Sequence, residues 1–325
     1  MTFSRIVSTG MSVPENIVTN EDIAKRVETS DEWIFTRTGI HERRVSAEGE
    51  ATSTFATNAS RQALEAAGMD PMDLQCLIVA TITPDLPFPA SACLTQEALG
   101  AKRAAAFDIS AACSGYVYAL SIADAYIRGG LYENVMVVGA ETLTKVINWE
   151  DRGSCILFGD GAGATLVTKS DKPGVGYTEL GADGGLAELI HVPGGGSKIP
   201  TTHETVDQGL QYAVVKGRDV YKVAVSRAEE VLTRALEVNN LKTEDIALLV
   251  PHQANQRITD AVQDRLGFSK EQVASNIEVY GNTSAASVPI CLHEAASQGR
   301  IKEGDKVLLV AFGAGFTWGT MLIDW

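Results

Sequence analysis

A layered α/β fold is the architecture this sequence predicts, and three observations carry the prediction. Apolar β-like runs alternate with amphipathic helical stretches, no low-complexity segment or long linker interrupts them, and the chain passes twice through the same outline. The β-like runs are Cys76–Thr83, Ala105–Ile109, Asn134–Gly139, Ala162–Thr168, Ile246–Val250, Lys306–Phe312 and Thr317–Ile323, after an opening run from Phe3 to Gly10. Between them lie Ser53–Ala67, Ser114–Arg128, Tyr221–Val238 and Gln256–Leu266, each with an apolar face at helical spacing.

The repeated outline is read from matching ends. Leu77–Ala80 is a β-like run that enters a Pro-rich loop, and Leu248–Val250 enters Pro251–His252. Gly161–Val167 is glycine-rich and then β-like, as is Gly313–Leu322. The division into halves falls near residue 170, giving 1–170 and 171–325. The glycine-rich segment from Gly181 to Gly217 reads as a long excursion at the surface or around a site.

Composition excludes several classes of function. The 325 residues are 45% hydrophobic and 21% charged, as in ordinary globular chains. A formal net charge of −14 gives no bulk attraction for nucleic acid or an anionic membrane, so neither is expected as a partner. Five cysteines, with no pair at CxxC spacing, argue against a disulfide framework and against a zinc site. No leader pattern and no run of membrane-spanning length is present, which makes the cytoplasm the expected compartment.

Three residues stand out chemically. Cys113, in Ile109–Gly115, falls between a β-like run and a helical pattern carrying Tyr116, Leu120, Ala123 and Ile127 on one face. At such a junction the free N–H groups and the dipole of the helix stabilise a thiolate, and small neighbours let a substrate approach. A buried structural cysteine is the alternative reading. His252 ends the run Leu248–Pro251 and can point into a cleft as a proton-transfer or hydrogen-bonding group, or it can cap and pack a loop. Asn282, in Gly281–Ser287, can donate two N–H bonds without changing charge, or it can serve as a helix cap before Val288–Ala296. Together they make a stronger case for nucleophilic catalysis than any one alone.

The segments Thr29–Ile34, Arg37–Ile40, Ala111–Gly115, Phe158–Gly163, Pro251–Arg257, Gly281–Ser287 and Gly313–Gly319, in this order over essentially the whole chain, resemble the β-ketoacyl-acyl-carrier-protein synthase III family. The resemblance implies a thiolase-like, five-layer αβαβα fold of two pseudo-repeated halves and a homodimer. It implies a decarboxylative condensation of a short acyl-CoA, such as acetyl-CoA, with a malonyl group on acyl carrier protein, through an acyl-Cys113 intermediate and without a metal or organic cofactor. The family's Cys-His-Asn triad falls on Cys113, His252 and Asn282, and its oxyanion N–H groups on Cys113 and Ala314, where many relatives have glycine. Trp33 and Arg37, with Arg152 nearby, would meet the adenine of CoA. Thr29, Gly217, Ala254 and Asn255 would line a pantetheine tunnel.

By the same resemblance Phe88 would cross a dimer interface to bound the acyl pocket, and Lys222, Gln253 and Arg257 would contact the acidic carrier protein. Lys216, Arg218 and Arg265 are further candidates for that basic patch, which Asp264 interrupts. Two other readings share these residues. One is an acyltransferase or condensing enzyme of secondary metabolism on the same scaffold, against which the intact segments Gln253–Arg257 and Gly281–Ser287 speak. The other is a non-catalytic scaffold, against which retention of all three triad residues speaks.

Overall fold

The computed structural model describes residues 2–325. Two mixed β-sheets form its frame. The first has the strand order Phe3–Ser12, Asp160–Ser170, Asn134–Thr142, Cys76–Ala80, Ala105–Ile109. The second has the order Val175–Ala182, Thr317–Asp324, Lys306–Gly313, Leu248–Pro251. In both, two antiparallel pairings are followed by a parallel one, so the second sheet repeats four strands of the first. Where the first sheet has its fifth strand, the second has a single parallel bridge, Leu249 to Val273.

The central strands of the first sheet are built of residues that suit burial on both faces, while its edge strand Ala105–Ile109 is only partly buried. Cys76–Ala80 and Asn134–Thr142 are buried throughout, as expected for strands covered by helices on each side. Helix Gly115–Arg128 and helix Ser287–Ser297 lie between the sheets. Tyr116, Leu120 and Ile127 share one core with Val288, Leu292, Val137 and Leu309. The outer face of the first sheet packs on Phe55, Ala59 and Ala63 of helix Thr52–Ala67. The outer face of the second packs on Ala228, Val231 and Leu232 of helix Gly217–Val238 and on Val262 of helix Gln256–Leu266. The layers are therefore helix, sheet, helix, sheet, helix, the thiolase-like arrangement the resemblance implied.

Most boundaries differ from the sequence expectation by a few residues. The run from Cys76 stops at Ala80 because Thr81 and Thr83 turn to bond a buried carboxylate. The helix expected from Tyr221 begins at Gly217. The segment from Gly181 to Gly217 is more ordered than its composition suggests. It holds a short helix, His203–Asp207, and a hairpin pairing Ile190–His191 with Val214–Val215.

Candidate active site

A cavity of about 630 Å³ is lined in part by Cys113, His252, Asn282 and Ala314. Cys113 and His252 stand beyond strand ends, whereas Asn282 follows the short helix Ile277–Tyr280 and bridges to Phe158. Cys113 follows strand Ala105–Ile109, in a 3-10 turn, Ala112–Ser114, that runs directly into helix Gly115–Arg128. The turn needs Ala112 at φ 47°, the left-handed region that costs an L-residue roughly 1–2 kcal/mol. The hydroxyls of Ser114 and Thr317 both donate to the Ala111 carbonyl, at 2.8 and 3.0 Å, and hold the bend. Ser284 repeats the conformation at φ 50°, before helix Ser287–Ser297, so a second elbow of the same form stands there without a cysteine.

Both elbows rest on glycine. A Cβ on Gly313 would lie 2.5 Å from the Cys113 amide nitrogen, and one on Gly139 would overlap the Ala285 carbonyl. Only a missing side chain on the strand lets the turn approach this closely.

Cys113 is partly buried, and the surface it keeps lines the cavity. Burial pushes its thiol up to about 12; the Ser284 hydroxyl works against this, and the Glu141 charge adds to it. The N-terminus of helix Gly115–Arg128 is the countervailing feature, since its free N–H groups favour the thiolate.

His252 is 2% exposed, and burial alone takes its imidazole down to about 3, so it is neutral. Its backbone N–H donates to the Val310 carbonyl at 2.8 Å, and its ring meets Phe312 edge-on at 5.5 Å. Nδ1 lies 2.6 Å from the Ser287 hydroxyl. Asn282 is clamped through its backbone: its N–H donates to Leu157, and its carbonyl accepts from Gly159. Its Oδ1 accepts the Ser284 N–H at 2.8 Å, which commits the amide oxygen and turns the NH2 group outward. Among the described residues neither that NH2 nor Nε2 of His252 has a hydrogen-bond partner, and both residues line the cavity.

Ala314 keeps a negative φ; the positive φ of its turn falls on Gly315, at 140°. The methyl group of Ala314 is therefore accommodated.

Glu141 was not singled out in the sequence and lies beneath this site. It is fully buried and accepts from Thr81 Oγ1, the N–H groups of Ile82 and Thr83, Thr83 Oγ1 and Ser284 Oγ. Burial pushes its carboxyl up to about 7, while those donors pull it down. The group ties the Ile82 loop, which lines the cavity, to the elbow beside Asn282. Its only sequence signal is a carboxylate directly after the apolar run Asn134–Gly139, which the folded strand extends to Thr142. His191 also lines the cavity, from the hairpin.

Gly217, Ala254 and Asn255 also line the cavity. Asn255 caps helix Gln256–Leu266 and donates to the Arg37 carbonyl at 3.0 Å, joining the cavity to the Trp33 helix. At the surface beyond, the guanidinium groups of Arg37 and Arg152 sit over the Trp33 ring, at 4.2 and 4.7 Å from its centre. Thr29 is not part of the cavity lining; its hydroxyl is buried with no hydrogen-bond partner among the described residues. Phe88 is 85% exposed, beside half-exposed Leu86, and does not line the cavity of its own chain.

Lys216, Arg218, Lys222 and Arg257 are exposed and form no ion pair among the described residues, whereas Arg265 is paired with Glu229 at 2.6 Å. Gln253 requires a correction. It is 1% exposed, and its amide is saturated by Pro251, Ala274, Ser275 and Asn276, so it buttresses the loop and cannot touch a carrier protein directly.

Two family models match the chain: 3-oxoacyl-(acyl-carrier-protein) synthase III over residues 107–184, and the C-terminal part of the same family over residues 236–325. A β-ketoacyl-(acyl-carrier-protein) synthase III of Caldanaerobacter subterraneus is 51% identical over 98% of this chain and 97% of its own. The crystal structure of 3-oxoacyl-(acyl-carrier-protein) synthase III from Aquifex aeolicus superposes with a TM-score of 0.92, at 47% identity, covering 99% of this chain and 100% of that one. The priming β-ketosynthase of the R1128 polyketide pathway matches at TM-score 0.92 and 36% identity, covering 99% and 96%. Among the described residues no helix is long and apolar enough to cross a membrane.

Proposed function

The chain belongs to the 3-oxoacyl-(acyl-carrier-protein) synthase III family, and from that premise we propose which of its residues carry the reaction. It is an acyltransferase that catalyses the initiating condensation of fatty-acid synthesis, with acyl-CoA and a carrier-protein thioester as substrates and no cofactor. The observation that carries the assignment of residues is the convergence of Cys113 with two unpaired donors, on His252 and Asn282, in one cavity.

In the first half-reaction the Cys113 thiolate attacks the carbonyl of an acyl-CoA, for which acetyl-CoA is the proposed donor. A C–S bond forms to the enzyme and the thiolate of CoA leaves. The developing oxyanion is held by the backbone N–H groups of Cys113 and Ala314. In the second, the malonyl thioester loses carbon dioxide, and the electron pair of the broken C–C bond passes into an enolate. Nε2–H of His252 and the NH2 group of Asn282 donate to its oxygen. The enolate carbon attacks the acyl carbon, the Cys113 thiolate leaves, and β-ketoacyl carrier protein is released. Because both donors are neutral, they stabilise the negative oxygen without a compensating buried charge in the resting site.

Trp33, Arg37 and Arg152 are assigned to the adenine end of CoA, where aromatic and guanidinium planes suit a flat heterocycle. Gly217, Ala254 and Asn255 are assigned to the pantetheine arm; Thr29 is assigned to its margin. Lys222 and Arg257, unpaired against a chain of net charge −14, form the local exception an acidic carrier protein needs. Phe88 would close the acyl pocket of a second copy, which makes the working unit a homodimer, and the cytoplasm its compartment. The halves 1–170 and 171–325 are the proposed repeat units, the first supplying the nucleophile and the second the donors.

Intact mass and peptide mapping after incubation with acetyl-CoA alone test this reading. One acetyl group on Cys113, absent in Cys113→Ala and discharged by malonyl carrier protein, is expected. Labelling only by longer or branched acyl-CoA would correct the starter unit. No acylation of folded, dimeric protein by any acyl-CoA would overturn the assignment.

A further inference from the structure

We propose that Ser287 fixes the proton of His252 on Nε2, so that the imidazole enters the condensation as a hydrogen-bond donor and not as a base. Ser287 opens helix Ser287–Ser297 and is 2% exposed. Its hydroxyl has two neighbours among the described residues: Nδ1 of His252 at 2.6 Å and the backbone N–H of Gln253 at 3.3 Å. The Gln253 N–H can only donate, so the oxygen accepts there. The hydroxyl proton then has one acceptor within reach, Nδ1 of His252.

The alternative tautomer places a proton on Nδ1. Both neighbours would then donate to the same oxygen, and the hydroxyl proton would be buried with no acceptor, an arrangement folded proteins avoid. With the Ser287 proton on the Nδ1 side, every polar group behind the ring is satisfied. Nε2–H alone is left open, on the cavity side where the enolate oxygen forms.

The same device serves the other donor. Asn282 commits Oδ1 to the Ser284 N–H at 2.8 Å and leaves its NH2 group free. Each cavity-facing donor is thus set by a group behind it, one a hydroxyl and one a backbone amide. Among the described residues no charged partner takes part, and no carboxylate faces His252 within hydrogen-bond range. Ser287 is therefore a positioning residue: it touches no substrate and acts through His252. The proposal rests on the assignment of His252 to the malonyl half-reaction made above.

The test uses intact enzyme carrying 15N-labelled histidine and long-range proton–nitrogen NMR, with the His252 signals identified by their loss in His252→Gln. Wild-type enzyme is expected to give the pattern of a neutral Nε2–H ring, and Ser287→Ala a mixture of tautomers. In Ser287→Ala the malonyl half-reaction of acetylated enzyme slows about tenfold, the weight of one ordinary hydrogen bond, while acetylation of Cys113 keeps its rate. Ser287→Thr, which retains the hydroxyl, restores the wild-type tautomer and rate. An Nδ1–H pattern in the wild type overturns the proposal, as does an unchanged tautomer and rate in Ser287→Ala. Equal slowing of both half-reactions would make Ser287 merely structural. If His252→Gln condenses at the wild-type rate, the role of His252 itself fails, a result distinguishable from any tautomer outcome.

Discussion

Substituting Gly313 by alanine is expected to misplace the nucleophile while leaving the fold intact. The added methyl would lie 2.5 Å from the Cys113 nitrogen, 3.0 Å from the Ala112 Cβ and 3.1 Å from the Ser114 nitrogen. Ordinary contact begins at 3.4 Å, so the turn must retreat by about 0.9 Å. It cannot do so freely, because Ala111 is held by two hydroxyls and Ala112 already occupies a left-handed conformation. A displacement of that size in an acyl-transfer site costs on the order of 10²-fold in rate. The strain should lower stability by about 1–3 kcal/mol. The assay is the single-turnover rate of Cys113 acetylation by intact mass, with urea unfolding in parallel. A Gly313→Ala enzyme that acetylates at the wild-type rate would refute the reasoning, since the glycine would then have no part in seating the elbow.

Three further outcomes follow from the same geometry. His252 is held at about 3, against an ordinary 6.5, so the unfolded chain binds a proton the folded one refuses. Its contribution is intact above pH 6.5 and is lost as the pH falls toward 3; the difference in unfolding free energy between wild type and His252→Gln should shift by about 2 kcal/mol between pH 7 and pH 5, measured by urea titration. Replacing Lys222 or Arg257 by Glu should raise KM for malonyl carrier protein several-fold, more strongly at low salt, with KM for acyl-CoA unchanged, whereas Arg265→Ala, which breaks only a surface pair with Glu229, should leave both constants alone. Glu141→Gln turns an NH2 group toward a shell of donors and should destabilise the protein by about 1–3 kcal/mol in the same titration.

The layered fold was legible because its central strands are apolar and its helices amphipathic, patterns that depend on burial and not on partners; the edge strand Val175–Ala182, mixed in composition and mostly not buried, carried no such signal. The triad was legible as residue types at junctions, but Cys, His and Asn meet only when two distant segments fold back on one another. What composition could not reveal were the supports. Ser287 looks like any helix-opening serine, and its meaning comes from a histidine 35 positions away. Gly139 and Gly313 lie in ordinary β-like runs, and only the turns pressed against them show why no side chain fits. Gln253 was misread for the converse reason: it adjoins the exposed Arg257 segment in sequence, but its side chain turns inward and bonds the loop around Ala274–Asn276.

The central claim is a division of labour, with acylation at Cys113 and enolate stabilisation at His252 and Asn282. It is tested most directly by measuring both half-reactions in His252→Ala, Asn282→Ala and Cys113→Ala enzymes, following acetyl transfer by mass and carbon dioxide release from malonyl carrier protein. The account predicts that His252→Ala and Asn282→Ala still acetylate Cys113 but release carbon dioxide about 10²–10³-fold more slowly, the usual effect of removing one oxyanion donor. Cys113→Ala should show the reverse, with no acetyl-enzyme and continued decarboxylation. Loss of acetyl transfer in the His252 or Asn282 variants, with decarboxylation intact, would contradict it.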